Sequence, residues 1–113
     1  MTVPDRPPNP ASPVSEVRDD PGRRRFEVIV EGEVAGFAEY QRRGGRIIFI
    51  HTEIDAAQEG QGLGSTLARG ALDAARERGE PVIPLCPFIA GYIERHDEYA
   101  DLVDRDLLER LGD

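Results

Sequence analysis

The chain has 113 residues, a net charge of −8 and 39% hydrophobic residues, enough for one domain with a single modest core. The acidic balance argues against nucleic acid as a partner, because neutralising phosphates needs a basic face. No run approaches the ~18 apolar residues of a membrane span, the polar, proline-rich start does not resemble a signal peptide, and the lone cysteine fits a reducing cytoplasm.

Residues 1–21 contain six of the nine prolines and almost no apolar periodicity, so a disordered N-terminal tail is expected there, followed by a single domain over 22–113. Residues 1–25 carry a net +1, which leaves −9 on the remainder. Such a body is suited to a cationic acceptor such as an amine or basic peptide, or simply to solubility. Arg23-Arg24-Arg25 could dock a phosphate, but reads better as a solvated basic run at a strand start. The chain contains no lysine, which excludes Schiff-base chemistry.

Order is expected from Phe26. Phe26–Val30, Ala35–Tyr40 and Arg46–Ile54 are apolar or alternating runs, separated by Glu31-Gly32 and Arg43-Gly44-Gly45, and predict an antiparallel meander. Ser65–Arg78 predicts a helix, with Leu67, Ala71 and Ala74 at helical spacing and Gly79 placed to end it. Gly70 in its middle costs ~1 kcal/mol relative to Ala and points to close packing on the sheet. Pro81–Cys86 predicts a strand near an edge or a splay, parallel to its neighbour because a helix precedes it. Pro87 can open a second helix over Phe88–His96, with Tyr92 and His96 one turn apart on one face. Asp101–Val103 reads equally as a last short strand or as the start of a terminal helix through Leu111.

The most informative run is Gln58-Glu59-Gly60-Gln61-Gly62-Leu63-Gly64, set between a strand and a helix. Strand, glycine turn, helix exposes backbone N–H groups at the positive end of a helix dipole, with no Cβ in the way of a phosphate. The same run can serve as a mere tight connection. A P-loop is excluded because it requires a lysine, and a dinucleotide fold because too little chain follows Gly64 to complete one.

These residues resemble the GNAT acetyltransferase superfamily, whose [Gln/Arg]-x-x-Gly-x-[Gly/Ala] turn binds the pyrophosphate of acetyl-CoA. Gly62 and Gly64 match it, with Glu59 where the pattern has Gln or Arg. His51-Thr52-Glu53, Leu85-Cys86-Pro87-Phe88 and the stretch from Tyr92 to Tyr99 resemble a minimal branch with a cysteine near the acetyl site. The resemblance covers about Phe26 to Val103 and implies a compact α/β (α+β) fold. Its mixed sheet would join an antiparallel meander to a splayed parallel strand pair, with helices packed on the sheet.

It further implies acetyl-CoA as cosubstrate, bound by Thr52 and Ile54 of the strand, by Glu59, Gly60, Gln61, Gly62, Leu63, Gly64 and Ser65 of the turn, and by Phe88 and Tyr92. Cys86 would lie beside the acetyl group as nucleophile, as proton donor to the leaving thiolate, or as a structural filler. His51 and Glu53 alternate with Thr52, so both point to one strand face, where either could act as general base. The two histidines and one cysteine match no zinc spacing, so no metal is expected. The reading is an acetyl-CoA-dependent N-acetyltransferase, monomeric or weakly dimeric, acting on an unidentified amine or peptide. The alternatives are a CoA-binding module with little catalysis and a degenerate interaction protein.

Overall fold

The computed structural model describes residues 15–58, Gly60 and 62–111. Five strands form one sheet in the order β1-β2-β3-β4-β5. They are β1 Ser15–Asp20, β2 Arg25–Val30, β3 Glu33–Arg43, β4 Arg46–Ile54 and β5 Val82–Pro84. Neighbours from β1 to β4 are antiparallel, and β5 lies parallel to β4. The helices are α1 Leu63–Arg78, α2 Pro87–Arg95 and α3 Arg105–Leu111. The expected meander and the expected parallel partner are both present. Asp101–Val103, left open between strand and helix, ends a 3-10 turn and makes a single parallel bridge from Val103 to Val82 before α3 begins.

α1 carries the chain from β4 to β5 and packs across one sheet face. Its inward stripe of Leu63, Leu67, Ala68, Ala71, Leu72 and Ala75 is buried against Phe26, Val28, Ala38, Tyr40, Ile47 and Phe49. A fully buried Leu or Phe of this kind contributes about 1.5–3 kcal/mol by leaving water, and this layer fixes α1 to the sheet. The helix stops at Gly79, whose φ of 68° is left-handed. There the Gly79 N–H donates to Arg76 O at 3.1 Å and the Glu80 N–H to Ala75 O at 2.9 Å, closing the last turn. α2 lays Ile89, Tyr92 and Ile93 into the same core, and α3 packs on β5.

The reading of residues 1–21 as a disordered tail is corrected at its C-terminal end. Ser15–Asp20 is an edge strand of the sheet, while residues 1–14 lie outside those described. The strand is almost wholly polar, so no hydrophobic pattern announces it. It is held by the backbone ladder to β2 and by two tertiary contacts. Val17 rests on the α1 backbone at Gly70, where an added Cβ would stand 2.7 Å from the valine. Asp19 accepts a hydrogen bond from the Tyr40 hydroxyl at 2.5 Å and pairs with Arg78 at 3.1 Å and Arg42 at 3.4 Å. Burial, then the Asp19 carboxylate, pushes the Tyr40 phenol up to about 12, so it stays a donor.

Asp104 ties the C-terminal segment to the sheet. Its N–H donates to Val82 O at 2.9 Å, and its carboxylate accepts from Arg46 Nε at 2.7 Å and from the Leu107 N–H at 3.1 Å. These donors, Arg46 foremost, hold the carboxyl below its ordinary 3.8.

Two outcomes follow from these contacts. Gly70→Ala should lower the melting temperature, although alanine gains ~1 kcal/mol of helix propensity. The overlap with Val17 costs about 1–3 kcal/mol as overpacking; a rise in melting temperature would show that β1 yields freely. Asp104→Asn should destabilise at neutral pH. A carboxyl depressed in the folded state gives stability that is present above its unfolded value and lost as pH falls through the folded one. Thermal melts across pH should therefore show the gap between variant and wild type closing on acidification.

Candidate functional site

β4 and β5 pair over only three positions, Ile47↔Val82, Ile48↔Ile83 and Phe49↔Pro84. At the last of these the Phe49 carbonyl accepts two N–H groups, from Leu85 and from Cys86, each at 3.0 Å. β5 then turns into α2, for which Pro87 supplies the first residue, while β4 runs on to Ile54. Beyond Phe49 the β5-side edge of β4 has no strand partner among the described residues. An extended ligand can add to such an edge by main-chain hydrogen bonds.

The strands part where β4 also carries an irregularity. Glu39 pairs with His51 but Tyr40 pairs with Phe49, so Ile50 is an extra residue in β4. That residue reverses the strand's alternation. Ile47 and Phe49 face the helices, and past the bulge it is Thr52 and Ile54 that turn inward while His51 and Glu53 stand exposed.

The candidate chemical groups fall into two pairs. Thr52 Oγ1 lies 3.2 Å from Cys86 Sγ, on the helix side, where Cys86 is 3% exposed and the Thr52 hydroxyl is its hydrogen-bonding neighbour. On the opposite face His51 Nε2 lies 2.8 Å from Glu53 Oε2. The His51 ring meets the edge of Phe37 with centroids 6.3 Å apart. Phe37 in turn carries the Arg25 guanidinium 4.5 Å above it, and Arg25 is paired at 2.9 Å to buried Glu27. The expectation that His51 and Glu53 share a face holds, but the structure does not bring either to Cys86. Phe37 and Glu39 complete this face; they become visible as neighbours only through the register Phe37↔Glu53 and Glu39↔His51.

The glycine turn divides by role. Gly62 caps α1 at a left-handed φ of 76°, makes no side-chain cap and has nothing within 4 Å of where a Cβ would stand. No acidic residue occupies the first turn of this 16-residue helix, so no carboxylate within that turn offsets the positive end of its dipole. Gly60 is also left-handed, at φ 88°, with open space around it. Leu63 is buried and anchors the helix, and Ser65 is exposed on its first turn. Gly64 has a different reason: a Cβ there would stand 2.7 Å from Phe88 Cζ, so its hydrogen admits the Phe88 ring. Phe88, 38% exposed at the start of α2, thus flanks the start of α1. Glu59 and Gln61 lie outside the described residues.

Tyr92 is spent on packing. It is 3% exposed, stacks on His96 with centroids 3.9 Å apart and lies 6.0 Å from the Tyr99 ring. The Tyr99 hydroxyl donates to Asp73 at 2.7 Å, and burial raises its pKa. Among the described residues no group of three His, Cys, Asp or Glu side chains is arranged to hold a metal, and no helix is long and apolar enough to cross a membrane.

The sheet's one parallel pair thus parts beside the start of α1. The family model for GCN5-related N-acetyl-transferases matches residues 25–102, and the chain belongs to that family. In fold it is similar to a GCN5-like protein of Staphylococcus aureus solved in solution by NMR, with a TM-score of 0.60 and 24% identity over 78% of this chain and 86% of that one. No protein of curated function matches the chain.

Proposed function

We propose that this protein binds acetyl-CoA between β4 and the start of α1 and transfers its acetyl group directly to an amine. The observation that carries the reading is the edge of β4 beyond Phe49, which no strand pairs among the described residues, followed along the chain by the first turn of α1 at Gly62. The residues present fit the cosubstrate. Gly60 and Gly62 leave room for a diphosphate against backbone N–H groups, and the free edge over Ile50–Ile54 offers main-chain partners to an extended pantetheine arm. Bound acetyl-CoA supplies a thioester, an acyl group with a good leaving thiolate.

The chain's own part is positioning, polarisation and proton transfer. In this reading backbone N–H groups beside the bulge polarise the thioester carbonyl, a contribution typically worth several kcal/mol in acyl transfer. The amine forms the new C–N bond as the thioester C–S bond breaks, and the coenzyme leaves as the thiol after taking a proton. The proton lost by the amine passes to the His51–Glu53 pair, directly or through water, on the open sheet face. Cys86 lies on the other side of β4, where its side-chain hydrogen-bonding partner among the described residues is the Thr52 hydroxyl rather than an imidazole or carboxylate. A covalent acetyl-cysteine route needs an activated thiolate, and the arrangement favours direct attack.

Calorimetric titration with acetyl-CoA tests the binding claim. Gly62→Val would force a branched side chain into a left-handed backbone at the phosphate path, and affinity should drop at least ~10-fold, or about 1.4 kcal/mol. Unchanged affinity in a folded Gly62→Val protein would remove the binding site from this turn. Intact-mass analysis after incubation with acetyl-CoA should show no acetyl adduct, and Cys86→Ser should keep its turnover; a single adduct lost in Cys86→Ala would establish the covalent route instead.

A further inference from the structure

Beyond the pair Arg25↔Glu39, β3 continues to Arg43 without a β2 partner, and the turn from β1 to β2 folds over the vacated edge. The Tyr40 N–H donates to Arg24 O at 2.9 Å, fixing that turn against β3. Two adjoining open cavities result. One, of about 420 Å³, is lined by Arg23, Arg24, Glu39, Gln41 and the bulged Ile50 among others. The other, of about 460 Å³, shares Arg24, Tyr40 and Gln41 with it and reaches Arg42 and Arg43.

This notch is a cationic site on an acidic protein. Arg42 is engaged by Glu80 at 2.8 Å and by Asp19, and Arg23 by Asp20 at 3.7 Å. Arg24 and Arg43 line the cavities with no carboxylate partner among the described residues. Arg24 is also one of two non-glycine residues held at positive φ among the described residues, at 56°. Such a conformation costs of order 1–3 kcal/mol for an ordinary side chain and recurs where a ligand uses the residue. At its other end the same notch reaches Ile50, the residue at which β4 and β5 part. There Glu39 faces His51 across the strand pair, and His51 is bonded to Glu53. Arginines thus line the notch from Arg43 to Arg24, and one carboxylate, that of Glu39, lines it beside Ile50.

We propose that this notch is the acceptor subsite and that the acceptor is a small amine bearing an anionic group, phosphate or carboxylate. The forks of Arg24 and Arg43 hold the anion bidentately, as guanidinium does for both groups. Glu39 attracts the ammonium end and directs it to the bulge at Ile50, where the His51–Glu53 pair takes the proton. The role as acceptor subsite rests on the acetyl-transfer reading above, whereas the recognition of a zwitterion rests on the notch alone.

The test uses the full chain, isotopically labelled, and two probe series of graded length: ω-aminoalkyl phosphates and ω-aminoalkanoic acids. Alkylamines, alkyl phosphates and alkanoic acids of matching length serve as controls. One of the bifunctional series should bind at least ~10-fold tighter than its controls, shifting the amides of Arg23–Arg25, Glu39–Gln41 and Ile50, and which series does so separates phosphate from carboxylate. Arg24→Gly relieves the backbone strain, so it should melt higher and yet lose that preference; Arg43→Gln should lose it too. Neither should change acetyl-CoA affinity. Equal binding of bifunctional and control compounds, shifts confined to Leu63–Thr66, or an unaltered preference in Arg24→Gly would overturn this proposal while leaving acetyl-CoA binding intact. Absence of acetyl-CoA binding would instead bring down the transfer reading and the acceptor role with it.

Discussion

One carbonyl organises this molecule. Phe49 O accepts the N–H groups of both Leu85 and Cys86, and with that double acceptance the parallel ladder ends. Pro84, the last β5 residue in register, has no N–H to extend the ladder, and Pro87 commits the chain to a helix within three residues. β4 must then run on alone to Ile54, supported by β3 on one side only. A free strand edge inside a small domain is normally a liability. Here it is short and lies between two helix starts, and it is the seat proposed above for an extended ligand.

The bulge at Ile50 sorts the side chains around that seat. Strict alternation would send His51 and Glu53 to the same face as Ile47 and Phe49, into the core beneath α1. One extra residue sends them outward and turns Thr52 toward Cys86. The protein therefore keeps its imidazole–carboxylate pair on the open face, where an acceptor can approach, and its thiol on the packed face. The same bulge brings Ile50 to the mouth of the arginine-lined notch. Transfer chemistry, if it runs across β4, runs between two environments that a single inserted residue has separated.

Rigidity around the site comes from contacts remote in sequence. Asp19 of β1 holds Tyr40, Arg42 and Arg78, joining the first strand, the third strand and the end of α1. Asp104 joins β4, β5 and α3. Exposed ion pairs contribute little singly, but Asp19 and its partners are half-buried and converge on one carboxylate. Without β1 the α1 backbone at Gly70 would lose its cover, and the turn that walls the notch would lose the strand that leads into it.

The sequence by itself determined the order of elements from Phe26 through α2, the parallel partner of β4, the glycine cap of α1, Pro87 at the head of α2 and the family. These are local properties: apolar period, turn residues and helix termini are written in neighbouring positions. β1 escaped because its hold on the sheet is a backbone ladder plus charges whose partners lie 21 to 59 residues away, and polar composition alone resembles a tail. Motif position marks Tyr92 and Gly64 as candidates for the cosubstrate site, while their packing, Tyr92 on His96 and Gly64 against the Phe88 ring, is visible only in the folded chain. Most of all, only the tertiary structure decided which face of β4 carries each candidate group. A bulge is a mismatch between two strands, and no single strand's residues record the register of its neighbour.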